Sequence, residues 1–247
     1  IYTLNAARSL QTFVNEVDNL LLFDNDAWRS SGESVQGGYD EINEKIVRRF
    51  GLLFSAGEIQ HGSDVAESVV DSSEIINTLS GGGVSTVGYA EAPVEEPPAS
   101  NGLLSRLGGN NDDDQFDSVD DTNRIASLVR KATLGRLTLP CDVQGTARAL
   151  LVVAGTTDLL NRKGIETGRK WLEQETGSME VRGGDFPRRG SGVVATVVLL
   201  SGVTNVPRIT ELKQVAVEAQ ETIQETDENR ETKQNDLLAD DDLESLF

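Results

Sequence analysis

Residues 70–88 read VDSSEIINTLSGGGVSTVG, and this stretch decides the fold. The apolar spacing ahead of the glycines predicts a helix, or a loop followed by a helix, over residues 63–79. After the three glycines, residues 84–90 have the apolar, β-branched composition of a strand. A helix that leads through a glycine turn into a strand is typical of an α/β fold.

The glycine run Gly81–Gly83 invites comparison with a phosphate-binding loop. Such a loop follows a strand and opens a helix, because the helix N-terminus supplies the N–H groups that hold the phosphate. Here the glycines precede a strand. We therefore predict a tight turn and close backbone packing at this position, and no phosphate site.

Similar patterns outside this stretch predict the remaining elements. Helices are expected at residues 5–16, 39–54, 122–134, 162–174 and 208–219, and strands at residues 20–23, 136–139, 149–153, 180–183 and 193–201. This alternation of predicted strands and helices also indicates the α/β fold class.

Two polar segments interrupt these patterns. Residues 91–121 contain three prolines and a run of aspartates, which predicts a mobile acidic surface loop. Residues 220–247 are polar and acidic and predict a disordered tail. The tail ends in DDDLESLF, whose Leu243, Leu246 and Phe247 have the spacing of a short helix that docks in a partner's groove. A purely solubilising tail is the alternative, so a tail-binding protein stays open.

The chain of 247 residues carries a formal net charge of -19. Nucleic acid is a poor partner for such a surface, because its phosphates would be repelled. The longest apolar run, at residues 193–203, is shorter than the roughly 18 residues that a membrane span requires. The single cysteine, Cys141, suits a reducing compartment, so we expect a cytoplasmic protein. An acidic surface poor in lysine also fits a salt-rich cytosol, although an ordinary acidic protein would look the same.

Three side chains have the chemistry of a nucleobase receptor. Asn25 follows an apolar strand, and ligands of α/β folds bind at the carboxyl ends of strands. Its amide can both donate to and accept from a purine edge. Tyr39 and Asn43 are spaced i, i+4, so they project from one face of a helix and could stack on a base and read its edge. A turn-forming asparagine and two solvated surface residues are the plainer alternative.

Asp71 and Glu74 are the candidate catalytic residues. Their i, i+3 spacing presents two carboxylates on one helical turn, and paired carboxylates can polarise water for phosphoryl transfer. The alternative is a pair of acids that complements the helix dipole. No metal site is predicted, because His61 is the only histidine and no Cys/His spacing suggests zinc.

The order and spacing of these motifs resemble the tubulin/FtsZ superfamily. Phe23-Asp24-Asn25, Tyr39-x-x-x-Asn43 and Val70-Asp71-x-x-Glu74 resemble three tubulin motifs in their chain order. The stretches ALLVV at 149–153, RKGIE at 162–166 and MEVRGGD at 179–185 resemble the archaeal CetZ branch of that superfamily.

The resemblance implies a domain plan. Residues 1–80 would be the C-terminal part of a GTP-binding domain, including its central helix and catalytic loop. Residues 81–219 would form a two-layer α/β sandwich domain that carries the acidic loop, and residues 220–247 the tail. Because the chain begins at Ile1 and lacks the family's Gly-Gly-Gly-Thr-Gly phosphate loop, we expect a fragment of a longer protein, inactive by itself.

The resemblance also implies roles. Asn25 and Asn43 would read guanine and Tyr39 would stack on it, with GTP or GDP and Mg²⁺ bound in the intact protein. Asp71 and Glu74 would reach the nucleotide of the next subunit in a head-to-tail polymer. The implied function is a GTP-hydrolysing cytoskeletal protein that helps to control cell shape. A non-hydrolysing scaffold of the same fold and an FtsZ-type division protein are the alternatives.

Overall fold

A computed structural model describes residues 2–29, 35–58, 69–94, 113–188 and 190–239. Its elements in chain order are α1 Tyr2–Glu16, β1 Asn19–Leu21, α2 Asn25–Trp28, α3 Val35–Ala56, α4 Ser72–Leu79, β2 Gly83–Pro93, α5 Asp113–Leu134, β3 Arg148–Gly155, a 3₁₀ turn Thr157–Leu159, α6 Arg162–Thr176, β4 Glu180–Pro187, β5 Val193–Ser201 and α7 Pro207–Ala239. The elements divide between two compact units: α1 and α7 pack on each other in one, and Val17–Val206 form the other.

A five-stranded mixed sheet of order β1-β2-β5-β3-β4 organises the unit Val17–Val206. β1 is parallel to β2 and β3 is parallel to β4, while β5 runs antiparallel to both of its neighbours. β4 is therefore an edge strand, which leaves one row of its backbone groups available to another segment.

Helices cover both faces of the sheet. Leu150 and Val152 of β3 belong to a core cluster with Leu53 of α3 and Ile75 of α4. Leu151 points to the other face, where a Cβ built on Gly168 of α6 would lie 3.4 Å from its side chain. This alternation is the period of a strand that is buried on both sides. The sheet with α5 and α6 forms the predicted α/β sandwich, and α3 and α4 close its other face.

The predicted glycine turn is confirmed. Gly82 and Gly83 have φ angles of 78° and 84°, a left-handed backbone region that favours glycine. The predicted close packing occurs further along β2, where a Cβ on Gly88 would lie 1.9 Å from the carbonyl oxygen of Ala132 in α5. Glycine at 88 is therefore what allows α5 to approach the strand.

The bounds predicted for the acidic loop, residues 91 and 121, are wrong at both ends. β2 continues through Pro93 because Glu91, Ala92 and Pro93 pair with β5, and the Glu91 carboxylate accepts a hydrogen bond of 2.8 Å from Arg48. α5 begins at Asp113, since residues 113–134 contain no proline or glycine to stop a helix. Residues 95–112, the centre of the predicted loop, lie outside the described part of the chain.

Two further predictions need correction. Residues 136–139 do not form a strand: the N–H of Thr138 bonds to the carbonyl of Val87, but the N–H of Leu139 bonds to the Thr86 hydroxyl, so the ladder stops.

Residues 220–239 are not disordered but continue α7. They contain many glutamates and glutamines and no glycine or proline, a composition that favours a helix even when it is exposed. The last eight residues of the predicted tail lie outside the described residues.

The predicted domain boundary at residue 80 stays a prediction. Elements from both sides of it share one core, in which Leu53 and Ile75 pack with Val87 and Leu199.

None of the described helices is long and apolar enough to cross a membrane.

Candidate functional site

Asp71 lies at the N-terminus of α4 and caps it. Its backbone is extended, with φ −120° and ψ 175°, and its Oδ1 accepts a hydrogen bond of 3.0 Å from the N–H of Glu74. The same oxygen accepts the Ser73 hydroxyl at 2.5 Å. The bond from Ser73 first, and then that from the Glu74 N–H, lower the pKa of Asp71. The Asp71 side chain is therefore an ionised carboxylate that also fixes the first turn of the helix.

Glu74 lies in that first turn, and its carboxylate is held by an arginine from another element. Oε2 accepts a hydrogen bond of 2.9 Å from Nη1 of Arg182, which belongs to β4. The two side chains are 37% and 41% exposed, so the ion pair is open to water and weak. Glu74 therefore has a defined orientation that a competing partner could change at small cost.

The segment before α4 is attached to the edge of the sheet. Val69 forms an isolated parallel bridge with Asp185 of β4, and the N–H of Val70 donates to the Asp185 carbonyl at 3.2 Å. The Val70 side chain is buried in the core. Together with the Glu74–Arg182 pair, these contacts fix the two acids to β4.

A depression of about 230 Å³ opens beside these acids. It is lined by Val69, Val70, Glu74, Leu150, Arg182, Gly183 and Gly184. A volume of this size holds water and small polar groups, and Glu74 and Arg182 are its charged members. The two candidate catalytic residues thus lie together at an exposed helix N-terminus.

Asn25 occupies the predicted place after β1. Asp24 caps the short helix α2, and Asn25 is its exposed first residue. The N–H of Asp24 donates to the carbonyl of Thr138 at 2.7 Å, which ties this corner to the segment after α5. The Asn25 amide is therefore presented to solvent on a fixed backbone.

Tyr39 and Asn43 are both exposed on α3, one turn apart, as their spacing predicts. Tyr39 is 48% exposed, and Ile42 between them is buried. Among the residues that the structure describes, no hydrogen bond joins the side chains of Asn25, Tyr39 and Asn43. The structure thus brings Asp71 and Glu74 together and leaves the three base-site candidates as separate exposed groups. Such groups have the donors, acceptors and ring face that a guanine base requires.

Arg182 is the site residue that the sequence analysis did not identify. Its partner Glu74 is 108 positions away, so no local spacing connects the two. The only signal was its place within the MEVRGGD stretch, where an arginine interrupts a predicted strand. Within the described ranges no group of three histidine, cysteine, aspartate or glutamate side chains could hold a metal ion.

Comparisons with known proteins show the family to which the chain belongs. The family model described as "Tubulin-like CetZ, C-terminal domain" matches residues 32–218. The chain belongs to the tubulin-like CetZ family. Its similarity to "Tubulin-like protein CetZ1" of Haloferax volcanii is 72% identity over 228 residues, which is 91% of this chain and 58% of that protein.

Two solved CetZ structures have the same fold. "CetZ1 from Haloferax volcanii - GDP bound monomer" superimposes with a TM-score of 0.73 at 63% identity, covering 89% of this chain and 56% of that chain. "CetZ2 from Haloferax volcanii - GTPgS bound protofilament" gives a TM-score of 0.70 at 43% identity, covering 90% and 57%. The chain thus spans little more than half the length of these CetZ relatives. Their match confirms the expected family and α/β fold.

Proposed function

We propose that the chain is part of a GTP-binding and GTP-hydrolysing cytoskeletal protein that polymerises head to tail. Asp71 and Glu74 would complete the hydrolytic site around the nucleotide of the next subunit. Hydrolysis would then require assembly. The protein would act in the cytoplasm and help to control cell shape.

The placement of the two acids supports the catalytic part. Both carboxylates lie at the N-terminus of α4: Asp71 caps the helix and its hydrogen bonds lower its pKa, and Glu74 is oriented by Arg182. Phosphoryl transfer requires a residue that orients the attacking water, and a positioned carboxylate can do this, since the protein contributes mainly positioning and electrostatics. The single observation that carries the proposal is this fixed, outward-facing acid pair in a CetZ chain.

The nucleotide part rests on the exposed amides and ring. Asn25 and Asn43 would hydrogen-bond to the guanine edge, and Tyr39 would cover its face. The contacts to the phosphates would come from outside residues 1–247, because this chain contains no phosphate loop. Related CetZ structures bound to GDP and to GTPγS support guanine nucleotides as the ligand class.

The test is Glu74→Ala in the full-length protein. GTP affinity should be unchanged, whereas steady-state phosphate release should fall by about 10²–10⁴-fold, the usual contribution of a positioned acid–base group. Filaments should persist longer, because hydrolysis no longer weakens the junction. Glu166→Ala is the matched control, since Glu166 forms an exposed ion pair of 2.8 Å with Arg169 on α6.

A mixing experiment tests action on the neighbour. Glu74→Ala subunits keep GTP but lack the acid, and Asn25→Ala/Asn43→Ala subunits keep the acid but bind GTP poorly. Mixtures should hydrolyse GTP faster than either variant alone, with a maximum at an intermediate ratio. A rate that follows the weighted mean of the two variants would show that each subunit serves its own nucleotide.

A non-hydrolysing scaffold is the second candidate, and the Glu74–Arg182 pair is the observation that favours it. If the protein is such a scaffold and the pair is purely structural, wild type should release no phosphate, and Glu74→Ala and Arg182→Ala should lower stability equally. Head-to-tail self-association would survive in this case. Filament assembly is therefore expected of both candidate functions, and only GTP turnover separates them.

A further inference from the structure

A second pocket, of about 400 Å³, lies away from the proposed catalytic site. It is lined by Trp28 of α2, Glu41, Ile42, Lys45 and Arg49 of α3, Tyr89 of β2 and Arg136 after α5. This volume is within the range of small-molecule pockets. The lining contains neither the acids at α4 nor the three proposed base-site residues.

Arg49 is the unusual member of this pocket. It is only 6% exposed, and its Nε is buried without a hydrogen-bond partner in the described part of the chain. The Nη1 of Arg49 donates a hydrogen bond of 3.0 Å to the carbonyl of Lys45. Burial first, and then the charges of Arg136 and Arg48, lower the pKa of Arg49 to about 10. A buried cation with an unsatisfied donor is costly unless an anion meets it.

A second cation lies near the same aromatic ring. The guanidinium carbon of Arg49 lies 4.2 Å from the centre of the Trp28 ring, and that of Arg136 lies 5.2 Å from the same ring. The charge of Arg136 is unfavourable for the charged form of Arg49, so a nearby negative charge would stabilise both cations. The ring itself contributes a cation–π contact and a flat apolar wall.

The nearby carboxylates have other partners. Glu41 is at the exposed edge of the pocket, 3.7 Å from the Lys45 ammonium. Glu91 accepts hydrogen bonds from Arg48 and from the Tyr89 hydroxyl. Among the described residues no carboxylate forms an ion pair with Arg49 or Arg136. In the part of the chain that the structure describes, the pocket therefore has two cations without a carboxylate partner, together with two aromatic rings.

We propose that this pocket binds a small organic anion. A carboxylate or phosphate group would bridge Arg49 and Arg136, which present planar forks suited to oxyanions. A flat apolar body would lie against Trp28 and Tyr89. The ligand class is thus an oxyanion on a planar body, and the lining of the pocket shares no residue with the proposed base site.

The experiment uses the full-length protein loaded with GDP and labelled with 5-fluorotryptophan. The resonance of Trp28 is identified by its loss in Trp28→Phe. Titration with benzoate or with phenyl phosphate, at constant ionic strength in KCl, should shift the Trp28 resonance saturably and leave that of Trp171 in place. The two probes distinguish a carboxylate ligand from a phosphate ligand, and inorganic phosphate tests whether the planar body is needed.

Two arginine variants decide the outcome. Arg136→Gln should weaken binding about tenfold or more through loss of one charge-assisted contact, and it is tolerable because Arg136 is exposed. Arg130→Gln is the control, because Arg130 lies 5.6 Å from the Trp171 ring, outside the pocket. The proposal is overturned if neither organic probe gives a saturable shift, or if Arg136→Gln binds as wild type does. Binding of inorganic phosphate as tight as that of phenyl phosphate would overturn the role of the planar body.

Discussion

At the scale of single residues, the two acids of the candidate site have different tasks. Asp71 uses Oδ1 to accept bonds from Ser73 and from the Glu74 N–H, which holds the turn together. Those bonds keep its pKa low, so it remains negative well below neutral pH. Glu74 uses its side chain outside the helix, on Arg182. Glu74 is therefore the acid whose environment a neighbouring subunit could alter.

Arg182→Gln tests whether that contact positions Glu74. We expect GTP affinity in the full-length protein to be unchanged and turnover to fall about tenfold, the equivalent of roughly 1.4 kcal/mol in the barrier. The free energy of unfolding should fall by at most about 1 kcal/mol, since the pair is exposed. Arg169→Gln removes a similar ion pair on α6 and should leave GTP affinity and turnover unchanged. Unchanged turnover in Arg182→Gln would leave the pair with a structural role alone.

The base-site assignment is tested at Asn25 and Asn43. Asn25→Ala or Asn43→Ala should weaken GDP binding to the full-length protein by roughly 1–3 kcal/mol, because each leaves a polar group of the base unpaired. Asn15→Ala is the control, as its amide donates to the carbonyl of Gln11 within the same helix. Equal GDP affinity for both variants and wild type, measured by calorimetry, would remove the two asparagines from the base site.

At the scale of elements, α4 is fixed at both ends. Its N-terminus is capped by Asp71 and attached to β4 through Val70. At its C-terminus, Arg148 of β3 donates to the carbonyl of Asn77 at 2.7 Å and to the Ser80 hydroxyl at 2.9 Å. A helix of eight residues would be unstable alone, so these tertiary contacts are what maintain it. The position of the acids thus depends on the sheet more than on helix propensity.

α7 offers a test of the corrected tail prediction. Thr226→Pro should interrupt the helix, because proline lacks the N–H and clashes with the preceding turn, at a local cost of about 3 kcal/mol. Helical content by circular dichroism should fall, whereas the melting transition of the unit Val17–Val206 should be unchanged. Thr226→Ala, at the same exposed position, should keep the helix. Equal dichroism in the two variants would mean that residues 220–239 are not helical in solution.

At the scale of the whole molecule, charge and core act in opposite directions. The sheet is buried on both faces: Leu150 and Val197 on one face and Leu151 and Val198 on the other are fully inaccessible. Against this, a net charge of -19 makes the folded chain repel itself. Salt reduces this repulsion, because the Debye length falls from about 10 Å at 0.1 M to about 3 Å at 1 M.

Stability should therefore rise with salt. We expect the melting temperature to increase from dilute buffer to molar KCl. A variant with Glu221, Glu225 and Glu231 of α7 replaced by lysine should have a smaller salt dependence, because its net charge is closer to zero. Addition of sucrose at equal osmolality separates charge screening from general exclusion effects. Identical melting temperatures of wild type across the KCl series would contradict the screening argument.

The sequence by itself determined the elements that depend on local chemistry. Apolar periodicity gave the positions of α3, α6 and β5, the glycine run gave the turn into β2, and the motif spacing indicated the family. These features were predictable because each is encoded in neighbouring residues. The polar segments were harder to predict. The composition of residues 91–121 and 220–239 suggested disorder. In the structure, strand pairing extends β2 to Pro93, α5 begins at Asp113 and α7 continues to Ala239.

Only the tertiary structure decided which distant residues meet. It brought Arg182 to Glu74, attached Val70 to β4, and placed Arg49 and Arg136 on the Trp28 ring. These partners are far apart in the chain, and the free energy of each contact arises from burial and geometry that no local pattern contains. The chain therefore encodes its candidate acids locally, whereas the orientation of those acids and the second pocket arise when the sheet assembles.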